Sequence, residues 1–248
     1  MDAPVLLTGS EGHVGQAILH RLADAYEWRL LDREPPTTDR PGEFFVADIT
    51  DRETVRRAVD GVGAIVHLAG DPRPEAPWNS VLHNNIDGTE AILKAAVDAG
   101  VERFVFASSN HAVGWYETDA RTPDLYRPDD DFRLDGTELP RPGNLYGVSK
   151  ATGELLGRYY HDEYGISVAC VRIGNLTEGR PPREYERGQA MWLSHRDCAH
   201  LFDRCLQATY DFEIVYGISD NDRKYYSIDR AREVLGYEPR DNSAEYDD

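Results

Sequence analysis

Six short apolar runs, PVLLTG, WRLLD, EFFVAD, GAIVHLAG, RFVFASS and SVACVRIG, follow one another through the first 174 residues. Amphipathic stretches such as VGQAILHRLADA, ETVRRAVDG and GTEAILKAAVDAG lie between them. Strands continuous in apolar residues need cover on both faces, and returning helices supply it. The alternation therefore predicts βαβ units in a doubly wound, parallel α/β sheet. A chain of 248 residues accommodates one such domain with a small annex. After Ile173 the alternation fades, and RPPREYERGQ opens a Pro- and Arg-rich stretch. Residues 1–173 are expected to form the main domain, and 174–248 a small substrate-binding part whose chain can return to the core. The Pro/Asp/Gly-rich segment DARTPDLYRPDDDFRLDGTELPRPGN reads as a long loop.

The first run ends in LLTGSEGHVGQAI, which sets Gly9, Gly12 and Gly15 between a strand and a helix. In that context Gly9 makes the tight turn, Gly12 lets the backbone approach a pyrophosphate at the helix N-terminus, and Gly15 allows close packing. The second strand ends in Asp32, where a carboxylate accepts hydrogen bonds from an adenosine ribose and repels a 2′-phosphate. Together these features predict a Rossmann-like dinucleotide fold that takes NAD in preference to NADP, with Arg33 the feature pointing the other way.

Composition narrows the partners. Acidic residues number 45 against 27 basic ones, and a net charge of -18 repels nucleic acid and anionic membrane, so neither is expected. An acid-rich, lysine-poor chain would also suit disorder, but 40% hydrophobic residues arranged in strand and helix runs argue against it. High-salt adaptation is the remaining expectation, with an ordinary acidic cytosolic protein as the alternative. Cys170, Cys198 and Cys205 have no metal spacing and read as reduced thiols. No apolar run approaches the roughly 18 residues of a membrane helix, and MDAPVLLTGS shows no export signal, which predicts a cytoplasmic protein.

One of only three lysines stands in NLYGVSK, with Tyr146 and Lys150 four apart on one helix face. A phenol with a pKa of about 10 is a poor base at neutral pH, and lowering it to about 7 takes about 4 kcal/mol of preference for the phenolate. A compact ammonium beneath the ring contributes to that, where a forked guanidinium would reach elsewhere.

The glycine spacing, the acidic VADIT (Asp48), the HLAG turn and Y-x-x-x-K occur in the order seen in the extended short-chain dehydrogenase/reductases, which the chain resembles over nearly its whole length. The resemblance implies a cofactor site of Gly9, Gly12, His13, Val14 and Gly15, with Asp32, Arg33, Asp48 and Ile49 at the adenosine end. Leu68, Ala69, Gly70, Asn85, Ile173, Tyr146 and Lys150 complete it, although Asn85 reads equally well as a structural hydrogen bond. It also implies a serine partner for Tyr146 in FASSNHAVGWY, which by register is Ser109, with Ser108 as the alternative. The implied chemistry is hydride transfer from a hydroxyl-bearing carbon to NAD.

SSNHAVGWY, YGVSK, VRIGN and MWLSHRD further resemble the uronate dehydrogenases, which oxidise the anomeric carbon of a sugar acid. That likeness implies Asn110, His111 and Asn175 at the sugar and Arg187 at its anionic end, with Arg183 and Arg180 as neighbours. Arg73, in LAGDPRPEAPW, departs from the pattern. A second arginine facing the same pocket would suit a phosphate, since guanidinium pairs with it bidentately. GDPRPEAPWNSVLHNNIDGT and YGISDNDRKYYSIDRA resemble the NAD-dependent glucose-6-phosphate dehydrogenases of halophilic archaea. The expected reaction is thus oxidation of glucose 6-phosphate, a sugar phosphate substrate, to its lactone. A uronate or free-aldose dehydrogenase, a sugar epimerase and a non-catalytic NAD-binding regulator are the alternatives. Family folds often pair through helices, which leaves a homo-oligomer open.

Overall fold

The structure, a computed structural model, describes residues 3–36, 38–118, 133–182 and 186–246. Most of the long loop expected after His111, and Arg183, lie outside the described residues. The strands are β1 (Val5–Thr8), β2 (Trp28–Asp32), β3 (Glu43–Val46), β4 (Ala64–His67), β5 (Arg103–Ser109), β6 (Ser167–Ile173), β7 (Asn175–Thr177), β8 (Trp192–Ser194) and β9 (Phe212–Gly217). Seven of them form one parallel sheet in the order β3-β2-β1-β4-β5-β6-β9, and β7 pairs with β8 apart from it. The first six are the six apolar runs of the sequence.

The main helices are α1 (His13–Leu22), α2 (Arg52–Val59), α3 (Gly88–Asp98), α4 (Leu145–Tyr164) and α5 (His195–Gln207). Alternate strand residues point to opposite faces of the sheet, which divides the core in two. Val5 and Leu7 join Ile18 of α1 and Phe202 of α5 on one side, whereas Leu6 joins Val55 of α2, Ile92 of α3 and Tyr160 of α4 on the other. Beyond Ile173, β9 aligns Phe212 with Val168 and Gly217 with Ile173 of β6, and Tyr225, Tyr226 and Tyr237 are buried in the first cluster.

Strand order reverses at β1, between β2 and β4, and the crevice at the carboxyl ends of strands on such a switch point is where this architecture receives ligands. Helix α4 is fixed beside that crevice by a buried ion network. Arg172 of β6 donates to both oxygens of Glu154 at 2.8 and 2.9 Å, and also pairs with Glu138, while Ser108 donates to Glu154 at 2.6 Å. Arg172 is wholly buried.

Candidate active site

The glycine loop makes the floor. Gly9 has φ +72°, and a Cβ on it would lie 2.8 Å from the Ala69 nitrogen, so the ends of β1 and β4 meet only because there is no side chain. Helix α1 then begins with no acidic residue in its first turn and no side-chain cap. Its N-terminal N–H groups and dipole thus favour an anion. Beyond it is a cavity of about 500 Å³ lined by Gly9, Gly12, His13, Val14, Gly15, Leu68, Gly70, Ser109, Tyr146, Lys150 and Ile173, among others.

A neighbouring cavity of about 300 Å³ shares Gly12 and Gly70 with it and is lined by Asp32, Arg33, Asp48, Ile49 and Ala69. Asp32 accepts from the backbone N–H of Glu11 at 2.9 Å and of Glu34 at 3.3 Å, which locks its carboxylate at the cavity rim. The Asp48 carboxyl is held below its usual range by the hydroxyl and the backbone N–H of Thr50. A backbone cradle followed by carboxylates fits a dinucleotide whose pyrophosphate sits over the glycines and whose ribose lies at Asp32.

Tyr146 and Lys150 share the inner face of α4. The Lys150 ammonium is 5.6 Å from the Tyr146 ring centroid and donates to the Ala107 carbonyl at 2.8 Å. Burial draws its pKa down to about 8. Burial pushes the Tyr146 phenol up, and a hydrogen bond with Ser109 works in the opposite direction. The two serines at the end of β5 part company as neighbours on a strand must. Ser108 turns to Glu154, whereas the Ser109 hydroxyl accepts from the His111 N–H at 3.2 Å.

Asn85 is buried, and its amide is engaged by the protein: it accepts from Asp71 N–H at 2.6 Å and donates to the Asp71 carbonyl and the Ser149 hydroxyl. It shapes the turn after Gly70 while its polar atoms face the chain.

A third cavity, about 260 Å³, shares Ser109, Tyr146 and Gly174 with the first, 500 Å³ one and continues to Asn110, His111, Asn175, Arg187 and Met191. Arg187, on the short Glu186–Ala190 helix, pairs through Nε with Glu117, whose side chain is 4% exposed and also accepts from the hydroxyls of Tyr225 and Tyr226. Arg180 is exposed in the turn after β7.

Arg73 is not where the sequence suggested. Pro72 and Pro74 line the third cavity, while the Arg73 guanidinium turns onto Asp71 with contacts of 2.9 and 2.6 Å and is 59% exposed. A carboxylate two residues away outcompetes a more distant pocket for a flexible cation, and Arg73 in return holds the Asp71 carboxyl well below the usual range. Glu117, Asp71 and Asn144 were missed by sequence reasoning. Only Asn144 carried a local signal, as an N-cap residue ahead of a helix.

Fold and site together define a dinucleotide-binding α/β protein with a Ser–Tyr–Lys group at the mouth of a second cavity. The chain belongs to the NAD dependent epimerase/dehydratase family, whose model matches residues 5–208. It is 71% identical, over 99% of this chain and 96% of the relative, to the NAD-dependent glucose-6-phosphate dehydrogenase of Haloferax volcanii. It is 35% identical to the uronate dehydrogenase of Pseudomonas syringae pv. tomato, over 96% of this chain and 82% of that one. A mutant uronate dehydrogenase from Agrobacterium tumefaciens, solved with NAD, superposes with a TM-score of 0.84 at 34% identity, covering 98% of this chain and 86% of that one. Membership brings the cofactor with it: the chain is an NAD-dependent dehydrogenase.

Proposed function

We propose that this enzyme oxidises the anomeric carbon of β-glucose 6-phosphate to 6-phosphogluconolactone. The observation that carries the reading is the third cavity, whose lining joins Ser109 and Tyr146, shared with the dinucleotide crevice, to Arg187, which that crevice does not share. Tyr146, as phenolate, takes the proton of the C1 hydroxyl while Ser109 holds that hydroxyl by a hydrogen bond. Lys150, charged below a pH of about 8, favours the phenolate. Bound NAD supplies the acceptor for the hydride leaving C1. Asn110, His111 and Asn175 orient the sugar, and Arg187 receives the phosphate. Residues 174–248 act as the substrate-facing part on the shared core. The 71% identity to a glucose-6-phosphate dehydrogenase supports the phosphate.

With Arg73 on Asp71, we assign it a different part from the paired grip that the sequence suggested. Asp71 lines the cavity that holds Tyr146, and its charge would oppose ionisation of the phenol. Arg73 neutralises it. One observation favours a second reading, oxidation of a uronate: among the described residues Arg187 is the one arginine lining the third cavity, which also suits a carboxylate.

The net charge of -18 supports work at high salt in the cytoplasm. Exposed Leu155 and Tyr159 on the outer face of α4 would suit pairing of two copies. The test is a screen of glucose 6-phosphate, glucuronate, galacturonate and glucose with NAD and NADP in molar salt, then after dilution. Glucose 6-phosphate with NAD should give the highest kcat/KM, and activity should fall with dilution. A preference for glucuronate would install the second reading.

A further inference from the structure

The side chain of Asn144 makes two contacts whose directions are fixed by chemistry. It precedes α4, and its Oδ1 accepts the Gly147 N–H at 2.7 Å. A backbone N–H can only donate, so the oxygen of the amide must be on that side and the NH₂ on the other. The NH₂ lies 2.9 Å from Nδ1 of His111. An amide NH₂ can only donate, so Nδ1 must offer its lone pair, and the proton of a neutral imidazole is left on Nε2. His111 lines the third cavity, and its Nε2 has no protein partner among the described residues.

We propose that Asn144 is a positioning residue that locks His111 in the Nε2–H tautomer, so that His111 offers the substrate one N–H donor and no acceptor. The role of the cavity as the sugar site rests on the function proposed above. A sugar hydroxyl meeting His111 must then accept from it, which leaves that hydroxyl's own hydrogen to donate elsewhere. A group able only to donate, such as an ammonium in place of the hydroxyl, would be refused.

Protonating the ring would require a second N–H at Nδ1, pointing straight at the NH₂ of Asn144. The other groups facing the ring are Tyr146, edge-on at 5.5 Å, Arg187 and Glu117. Burial and the Arg187 charge both hold His111 below its ordinary pKa, with Glu117 opposing them. The backbone packs as closely: a Cβ on Gly147 would lie 2.2 Å from the His111 carbonyl oxygen, so the start of α4 and His111 are seated together.

Asn144→Asp tests this because aspartate caps a helix as well as asparagine does. Its second oxygen can only accept, which draws a proton onto Nδ1. In ¹⁵N-histidine spectra of substrate-free enzyme, with the His111 signals assigned by their loss in His111→Gln, the wild type should show a protonated Nε2 and a bare Nδ1. Asn144→Asp should move the proton to Nδ1, raise the His111 pKa, and lower kcat/KM at least tenfold with a shifted pH profile, at an unchanged melting temperature. Asn144→Ser, which keeps the cap and loses the NH₂ that reaches Nδ1, should show mixed tautomers and a smaller loss. A wild-type His111 protonated on Nδ1, or an Asn144→Asp enzyme with unchanged tautomer and pH profile, would overturn the proposal. Preference for another sugar would overturn the substrate reading and leave the tautomer measurement, made without substrate, to decide this one.

Discussion

Replacing Arg187 by alanine removes, among the described residues, the arginine that lines the cavity beyond Tyr146. Its Nε is engaged by Glu117, so among the described residues its two terminal nitrogens are what remain for an anion. A charge-assisted hydrogen bond contributes about 1.5–3 kcal/mol. With the Arg187 side chain 30% exposed and its charge partly balanced by Glu117, two such contacts are screened toward the worth of one. The expected loss in kcat/KM for glucose 6-phosphate is therefore roughly 10- to 150-fold. It should be read as NADH formation at saturating NAD, beside the same assay on free glucose. Glucose never had the contact, so its turnover should stay within about threefold, and that contrast separates loss of an anion grip from damage around the buried Glu117 carboxylate, which loses its Arg187 partner. Arg73→Ala should cost glucose 6-phosphate less than about threefold through binding, because its guanidinium is on Asp71, and should shift the pH profile of both sugars upward instead. Equal losses on the two sugars in Arg187→Ala, or none on either, would refute the assignment of the phosphate to Arg187.

Tyr146→Phe should abolish turnover while NAD still binds, as followed by cofactor fluorescence, since only the hydroxyl is removed; retained turnover would end its role as base. Asp32→Ala should erode the preference for NAD over NADP, and should also weaken NAD itself because the Glu11 N–H loses its acceptor; the ratio of kcat/KM for the two cofactors measures it. His67, buried between Thr8 and Thr89, has its pKa lowered to about 3, chiefly by burial and further by Lys150. Its folded pKa lies below the unfolded value of 6.5, so the unfolded chain binds the proton first and stability falls as pH drops below about 6.5. Between pH 7 and pH 5 the loss is about 2 kcal/mol. Denaturant titrations of His67→Gln, which keeps both hydrogen-bonding capacities, should show a slope smaller by about one proton.

The parts of the molecule legible in the sequence were those whose partners are near in the chain. Gly9 to Gly15, Asp32 at the end of β2, and Tyr146 with Lys150 express spacing along single elements, and the structure sets them around one crevice. The segment FEIVYG of β9 comes after the regular strand–helix alternation has faded, and its place beside β6 is settled only by pairing across the sheet. Glu117 was silent because what gives it a role arrives from Arg187, Tyr225 and Tyr226, 70 to 109 positions away. Arg73 is the opposite case. Its side chain chose a local carboxylate, and a choice among rotamers leaves no mark on residue spacing.

The buried Arg172–Glu154–Glu138 network separates two places where salt can act. Surface pairs such as Lys94–Asp98 and Arg158–Asp162 are more than half exposed, and at 1 M salt, where the Debye length is about 3 Å, they are largely screened. Mobile ions do not reach Arg172. The helix that presents Tyr146 and Lys150 is thus tied to the sheet by charges insensitive to the ionic strength around them, while the acidic exterior responds to it in full. An organism whose internal salt fluctuates could lose or gain overall stability in such an enzyme with the spacing of its reacting groups unaltered.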